Sequence, residues 1–267
     1  MSMSIGADPP HVRLLSLAAG TILDVSPTDA PRVAAHAGWP AVGIWFDPVT
    51  WTSATSRSVA RALADHEIIA LDMEPVIFGP DGDPGEALID AAMEIGARHV
   101  LMASRVPASP ALVERFGVLC DRAAAGNLVV VLEFLPIFAI RTLEEALGVV
   151  HDAARPNSGV LVDTLHLARS GGSPGDLRAV DPALLPYLQV ADAPKQPPEG
   201  GVGALLHEAL HGRLLPGEGG LPIDDVLRIV RGVAVSVELR SEALRTRYAD
   251  PVERARVVLT ATRRVVG

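Results

Sequence analysis

The sequence predicts an α/β protein that folds as a single closed (β/α)8 barrel of the TIM type, and three observations support this prediction. The chain has 267 residues, and barrels of about 250 residues are common single-domain folds. Its short Val, Ile and Leu-rich runs lack polar alternation, as is typical of parallel strands buried on both faces. Eight such runs alternate with helical patterns, which is the number that closes a barrel. Residues 1–267 are therefore assigned to one domain, with 1–11 as a flexible N-terminus.

The predicted strands are the eight apolar runs in chain order. They are Leu14–Ala19, Ala41–Trp45, Ile68–Val76, His99–Ala103, Leu128–Phe134, Gly159–Asp163, Tyr187–Asp192 and Val233–Leu239. Helical patterns between them are favoured by first-turn prolines and by Thr142 as an N-cap. These helices are Ser58–His66, Gly85–Ile95, Pro110–Ala125, Leu143–Ala154 and Leu221–Arg231.

The alternative fold is an open, doubly wound sheet that binds a dinucleotide. Such a sheet is marked by a Gly-x-Gly-x-x-Gly turn after its first strand. Here Gly20 follows the first predicted strand, but no second glycine stands at the required spacing. The barrel is therefore favoured.

Composition and charge restrict the function. The chain is 49% hydrophobic and carries a net charge of −9, which argues against disorder, nucleic-acid binding and an anionic membrane surface. The single cysteine, Cys120, and the absence of a signal-like or membrane-spanning run predict a cytoplasmic protein. Lys195 is the only lysine, so Schiff-base chemistry would depend on that residue alone.

Polar residues inside apolar strands are the candidate functional groups. Glu133, Asp163, Gln189 and Glu238 lie near the ends of the fifth to eighth strands, and Glu74 lies on the third. The carboxyl ends of barrel strands converge on one mouth, where active sites lie. Three carboxylates and an amide oxygen form a hard ligand set that suits Mn²⁺ or Mg²⁺. The alternative is that each carboxylate pairs with one of the many arginines.

Five segments carry a resemblance to a known family, which covers the chain from about residue 128 to 238. They are Val131–Pro136, Val162–His166, Leu188–Pro194, Arg213–Gly219 and Val235–Glu238. In order and spacing they resemble the sugar phosphate isomerase/epimerase family, whose xylose-isomerase-like barrel includes ketose 3-epimerases, hydroxypyruvate isomerase and inosose dehydratase. The resemblance implies that Glu133, Asp163 and Glu238 are metal ligands. Gln189 falls where many members place a histidine ligand, which favours Mn²⁺ or Mg²⁺ over Co²⁺ or Zn²⁺.

Five further residues are predicted to contact the substrate: His166, Arg213, Glu74, Trp45 and Phe46. His166 and Arg213 match positions that contact substrate oxygens in the family. Trp45 and Phe46 follow the second strand and would form an apolar wall, with packing over the barrel top as the alternative. Relatives are often dimers or tetramers, so the resemblance also implies a homo-oligomer.

The predicted activity is that of a metal-dependent isomerase or epimerase whose small-molecule substrate is a hydroxy-carbonyl compound, such as a sugar or cyclitol derivative. A divalent ion would polarise a carbonyl and its neighbouring hydroxyl, and Glu133 and Glu238 would remove and return a proton. Loss of a β-hydroxyl from the same enediolate would instead make the protein a dehydratase of the inosose or dehydroshikimate type. A barrel that binds a ligand without turnover is the third alternative.

Two remaining features are interpreted without a catalytic role. His207, Glu208 and His211 form the His-Glu-x-x-His pattern of zinc proteases, but Pro216 and Gly217 limit the helix that such a site needs. The pattern is therefore assigned to a rim helix. Arg240 is assigned, with Arg245, to a solvated face or a contact between subunits.

Overall fold

The computed structural model describes residues 13–266, in which eight parallel strands close a barrel in the order β1 to β8. β1 pairs with both β2 and β8, which closes the sheet. The predicted fold is thereby confirmed, whereas the prediction for residues 1–11 lies outside the described residues. The strands are β1 Leu15–Leu17, β2 Ala41–Trp45, β3 Ile69–Phe78, β4 His99–Ser104, β5 Val129–Glu133, β6 Ser158–Asp163, β7 Tyr187–Val190 and β8 Ala234–Val237.

Ten α-helices within the described residues surround the barrel or cover its mouth. They are α1 Ala30–Ala37, α2 Ser53–Asp65, α3 Gly85–Ile95, α4 Pro110–Ala124, α5 Leu143–Ala153, α6 Thr164–Arg169, α7 Gly201–His211, α8 Ile223–Ile229, α9 Glu242–Arg247 and α10 Pro251–Val266. α5 begins as predicted, with Thr142 and Glu145 in a reciprocal capping box. α2 begins five residues earlier than predicted, because Thr52 and Thr55 form the same kind of cap. No helix in 13–266 has the length and apolarity needed to cross a membrane.

Two apolar clusters hold the barrel together. The larger one lies between the strands and the surrounding helices. The smaller one fills the barrel interior and consists of Ala41, Leu71, Leu101, Val131, Leu161 and Tyr187. Side chains two residues further along a strand point to the same face, one layer higher. The interior cluster is therefore the floor beneath Glu133, Asp163 and Gln189.

A register shift in the β2–β3 ladder changes the direction of side chains on β3. Val42 pairs with Ala70, but the next residue, Gly43, pairs with Asp72. The extra residue in β3 is a β-bulge, which re-aims the side chains that follow it. As a result Asp72 lies against Gly43 inside the barrel.

Candidate active site

A cavity of about 350 Å³ opens at the carboxyl ends of the strands. Its polar lining includes Glu133 of β5 and Glu238, which follows β8. Trp45 of β2, Ile77 of β3 and Arg105, which follows β4, line its wall. The lining therefore combines charged and apolar side chains from several strands of the barrel.

Arg213 connects two of the predicted metal ligands. Its Nη1 lies 2.7 Å from Asp163 Oδ2 and 3.0 Å from Glu238 Oε2, and all three residues are buried. Burial lowers the Arg213 pKa, but the charges of Asp163 and Glu238 outweigh this effect and raise it. One positively charged nitrogen therefore occupies the space that these two carboxylates share.

Asp163 also caps α6, which begins at the next residue. The backbone N–H groups of Leu165 and His166 donate to its Oδ1 at 2.7 and 3.0 Å. Burial alone would raise the Asp163 pKa, but Arg213 and these local contacts hold it below the ordinary value. The side chain is consequently ionised at neutral pH.

His166 lies between Arg213 and Glu133. Its Nε2 is 3.3 Å from Arg213 Nη2 and 3.9 Å from Glu133 Oε1. Burial lowers the His166 pKa to about 4, so the ring is neutral at pH 7 and its Nε2 can accept from Arg213. Burial, followed by the charges of Glu238 and Asp163, raises the Glu133 pKa well above its ordinary value. Glu133 is thus suited to holding a proton.

Gln189 and Glu74 meet across the barrel interior. Gln189 Nε2 donates to Glu74 Oε2 at 3.3 Å. Gln189 Oε1 and Glu74 Oε1 are both buried, and neither has a hydrogen-bond partner in residues 13–266. A buried polar atom without a partner costs about 1–3 kcal/mol. Gln189 Oε1 is therefore free to bind a ligand that supplies positive charge.

The donor set fits a divalent cation. Glu133, Asp163 and His166 each offer one ligand atom, and these atoms lie within 4.8 Å of one another. Glu238 shares the Arg213 guanidinium with Asp163, and Gln189 pairs with Asp163 in the β6–β7 ladder, so these two residues offer further oxygen donors nearby. Carboxylate and amide oxygens favour Mg²⁺ or Mn²⁺, while an imidazole also suits Zn²⁺. A buried cluster able to hold a metal ion is present.

A second acidic layer lies beneath the site, and its key residue, Asp72, is absent from the sequence predictions. Asp72 is fully buried, and neither carboxylate oxygen has a partner in residues 13–266. Burial and the charge of Glu238 raise its pKa to about 7. The hydroxyls of Ser16, Tyr187 and Ser236 are likewise buried without a partner in the same stretch. The β3 bulge that turns Asp72 inward leaves no mark in the sequence.

Arg240 lines the cavity, so its assignment to a solvated face is wrong, and the alternative of a subunit contact stays a prediction. Its Nε lies 3.2 Å from Glu238 Oε1, and its guanidinium stacks on Trp45 with 5.3 Å to the ring centroid. Arg240 stands two residues after Glu238, and this alternation could have revealed that both face the mouth. Phe46, predicted beside Trp45, is instead buried in the core against Trp51.

α7 forms one side of the mouth and contains the His-Glu-x-x-His pattern. Leu206 and Ala209 line the cavity, while His207 and His211 are exposed. Glu208 is buried and forms a two-bond ion pair with Arg169, at 2.7 and 2.8 Å. Because Glu208 is held by Arg169, the three residues do not form a protease site, in agreement with the rim-helix assignment.

The family profile described as "Xylose isomerase-like TIM barrel" matches residues 31–260. The chain belongs to this family. Among curated proteins, a 3-dehydroshikimate dehydratase of Pseudomonas aeruginosa is 27% identical over 228 residues, which is 78% of this chain and 34% of that protein. The dehydratase of the same name from Pseudomonas putida is 25% identical over 219 residues, covering 76% and 34%.

The chain spans about a third of the length of these two curated relatives. Among solved structures, the zinc-bound IolI protein superposes with a TM-score of 0.80 at 20% identity, covering 96% of this chain and 98% of that one. At this identity the likeness shows the xylose isomerase-like barrel fold and carries no residue roles. Members of the barrel family are enzymes, and those similar to this chain include epimerases and dehydratases.

Proposed function

We propose that the protein is a metal-dependent dehydratase that removes water from a small cyclic hydroxy-ketone bearing a carboxylate, of the 3-dehydroshikimate type. The observation that carries the proposal is that both curated relatives, which match more than three quarters of this chain, are 3-dehydroshikimate dehydratases. The charged half of the cavity supports it, because elimination of water needs a proton acceptor, a proton donor and stabilisation of negative charge.

The residues present can perform each of these tasks. Glu133, Asp163, Gln189 and Glu238 would hold a divalent ion once Arg213 Nη1 leaves the space between Asp163 and Glu238. The ion would withdraw electrons from the substrate carbonyl. Glu133 and Glu238 both line the cavity, so one can take the proton next to the carbonyl while the other, protonated, gives a proton to the departing hydroxyl. The raised pKa of Glu133 suits it to carrying a proton.

Arg105 supports a substrate that carries a carboxylate. It is exposed at the cavity rim and stacks on Phe138, with 5.5 Å from its guanidinium to the ring centroid. Within residues 13–266 no carboxylate forms an ion pair with it. Arginine binds carboxylates in a two-bond geometry. The apolar wall beside it suits a carbon ring better than a fully hydroxylated sugar.

An isomerase or epimerase is the second candidate, and the pair of carboxyl groups in the cavity favours it. Return of the proton to the same carbon epimerises the substrate, and return to the neighbouring carbon isomerises it. Both reactions share the first proton transfer with dehydration. The two candidates therefore differ in whether a hydroxyl leaves the substrate.

The test is to supply 3-dehydroshikimate to Mg²⁺- or Mn²⁺-loaded protein in deuterated water. Dehydration makes the ring aromatic and raises the near-ultraviolet absorbance, and Glu133→Gln and Glu238→Gln should abolish this rise. Arg105→Gln should raise KM about tenfold or more with little change in kcat, since a charged hydrogen bond is lost. Arg141→Gln is the matched control, because Arg141 is exposed and does not line the cavity.

Each other outcome rejects the dehydratase. Deuterium uptake beside the carbonyl of a ketose or inosose, without loss of water from 3-dehydroshikimate, would assign the protein to the isomerases. Binding of 3-dehydroshikimate without exchange or turnover would assign it to the non-catalytic barrels.

A further inference from the structure

We propose that the outer face of α7 carries a second metal site, in which His207 and His211 together bind a borderline divalent ion such as Zn²⁺, Ni²⁺ or Cu²⁺. The two residues are one helical turn apart, and both are exposed. Their ring centroids lie 5.2 Å apart, with 40° between the ring planes. Side chains four residues apart on a helix are neighbours on the same face.

The orientation of α7 is fixed by contacts on its other sides. Glu208 is held by Arg169 at 2.7 and 2.8 Å, and Leu206 and Ala209 face the cavity. The two histidines therefore point away from the strand-end site. Two imidazoles at their separation can turn one nitrogen each toward an ion about 2.0–2.1 Å away by rotation of the side chains alone.

Groups of both charges lie beside His211, and they include a carboxylate that could bind a cation. His211 is the last residue of α7, and the carboxyl end of a helix carries a partial negative charge. An isolated bridge between Gly212 and Ser241 places the start of α9 beside the end of α7. Glu242 consequently lines the same cleft as His211, together with Asp24, Arg240 and Arg245. Glu242 could therefore supply an oxygen ligand to an ion bound by His211.

The proposed site differs from the strand-end site in ion preference. Imidazole pairs select Zn²⁺, Ni²⁺ and Cu²⁺, whereas carboxylate and amide oxygens select Mg²⁺ and Mn²⁺. The chain also offers a matched control pair, His36 and His66, which come from different segments. Their ring centroids are 5.8 Å apart and their planes meet at 83°, edge to face. That packing directs an edge of one ring at the face of the other instead of pointing two nitrogens at one ion.

The experiment is a calorimetric titration of the protein with Zn²⁺ in excess Mg²⁺. We expect one Zn²⁺ per chain to bind at α7, and His207→Gln and His211→Gln each to weaken this binding about tenfold or more. His36→Gln and His151→Gln should bind as the wild type does. Since His207 and His211 are exposed, their substitution should leave the unfolding transition unchanged.

A background variant separates the two sites. Glu133→Gln removes any Zn²⁺ that displaces Mg²⁺ at the strand ends, and in this background the α7 site should persist. Unchanged Zn²⁺ binding in both α7 variants, or a loss caused by His36→Gln, would overturn the proposal. Loss of all Zn²⁺ binding with Glu133→Gln would overturn it too.

Discussion

Asp163 and Asp72 are both fully buried aspartates inside the same barrel, yet their pKa values move in opposite directions. The pKa of Asp163 is lowered, while that of Asp72 is raised to about 7. Asp163 accepts two backbone N–H groups and contacts Arg213. Asp72 has no partner for either oxygen in residues 13–266. Burial is common to both, so the partners decide the charge.

This contrast separates two layers of the barrel interior. In the upper layer, the buried guanidinium of Arg213 and the start of α6 keep Asp163 ionised where a substrate would arrive. In the lower layer, Asp72 lacks such support, and its pKa rises because desolvation and the charge of Glu238 disfavour the charged form. The same residue type thus serves as a charged group at the mouth and approaches neutrality one layer deeper.

Removing the guanidinium should have the largest effect. Arg213→Leu leaves Asp163 and Glu238 buried beside each other without their cation, and loss of one partner of a buried pair costs about 3–5 kcal/mol. Urea unfolding with chelator present measures this loss, and Arg213→Lys, which keeps the charge, should lose less. Added Mn²⁺ should restore part of the stability of Arg213→Leu. A loss no larger than that of an exposed pair would show that the upper layer does not depend on Arg213.

Asp72→Asn should have the next largest effect on the free energy of unfolding, and this effect depends on pH. Because the folded pKa of Asp72 is raised, the folded state holds the proton more tightly, and this contribution is lost as pH rises through about 7. From about pH 5 to about pH 8 the wild type should lose about 2–3 kcal/mol relative to the variant.

Asp163→Asn is the matched control for Asp72→Asn and should show the opposite sign. The lowered pKa of Asp163 gives stability that is present above its unfolded pKa and lost as pH falls. Unfolding free energies of the three proteins in chelator test both signs, from about pH 5 to about pH 8 for Asp72→Asn and below about pH 4 for Asp163→Asn. Parallel pH profiles for the two variants would contradict the difference between the layers.

Two glycine substitutions should affect the two layers differently, with smaller changes in stability than the removal of Arg213. A Cβ at Gly20 would overlap the flexible side chain of Glu238, whereas a Cβ at Gly43 would lie 2.9 Å from the Ala19 backbone nitrogen and 3.1 Å from Asp72 Oδ2. Gly43→Ala should therefore cost about 1–3 kcal/mol, as overpacking does. Gly20→Ala should cost less stability but displace Glu238, reducing Mn²⁺ affinity about tenfold. Equal effects of both on metal affinity would show that the layers are not independent.

Local patterns were sufficient to predict most of the architecture. The structure has β2 at Ala41–Trp45 and α3 at Gly85–Ile95, with the bounds that the sequence predicts. Apolar runs and helix caps are local signals, so they are readable without knowledge of the fold. The ends of the strands at the mouth were predicted less accurately. β1 is shorter than its apolar run, because residues 19–22 form a 3-10 turn.

The site was only partly predictable, for a physical reason. Strand position identifies Glu133, Asp163 and Glu238 as residues near the mouth, and their roles as ligands stay a prediction. The inward position of Asp72 depends on a register shift between two strands, which is a non-local property. The contact of Arg213 with Asp163 joins residues that are 50 positions apart. Such distances are set by barrel closure and not by any local pattern.

The proposed ligands lie on or directly after β5–β8, whereas Trp45, Ile77 and Arg105 of the wall lie on or directly after β2–β4. A barrel built in this way can change part of its cavity wall through substitutions in its first half, while the proposed ligands stay untouched in the second. Exchange of whole β2–β4 segments between related barrels is thus a direct route to new substrate ranges. Natural recombination between related genes can exchange the same segments.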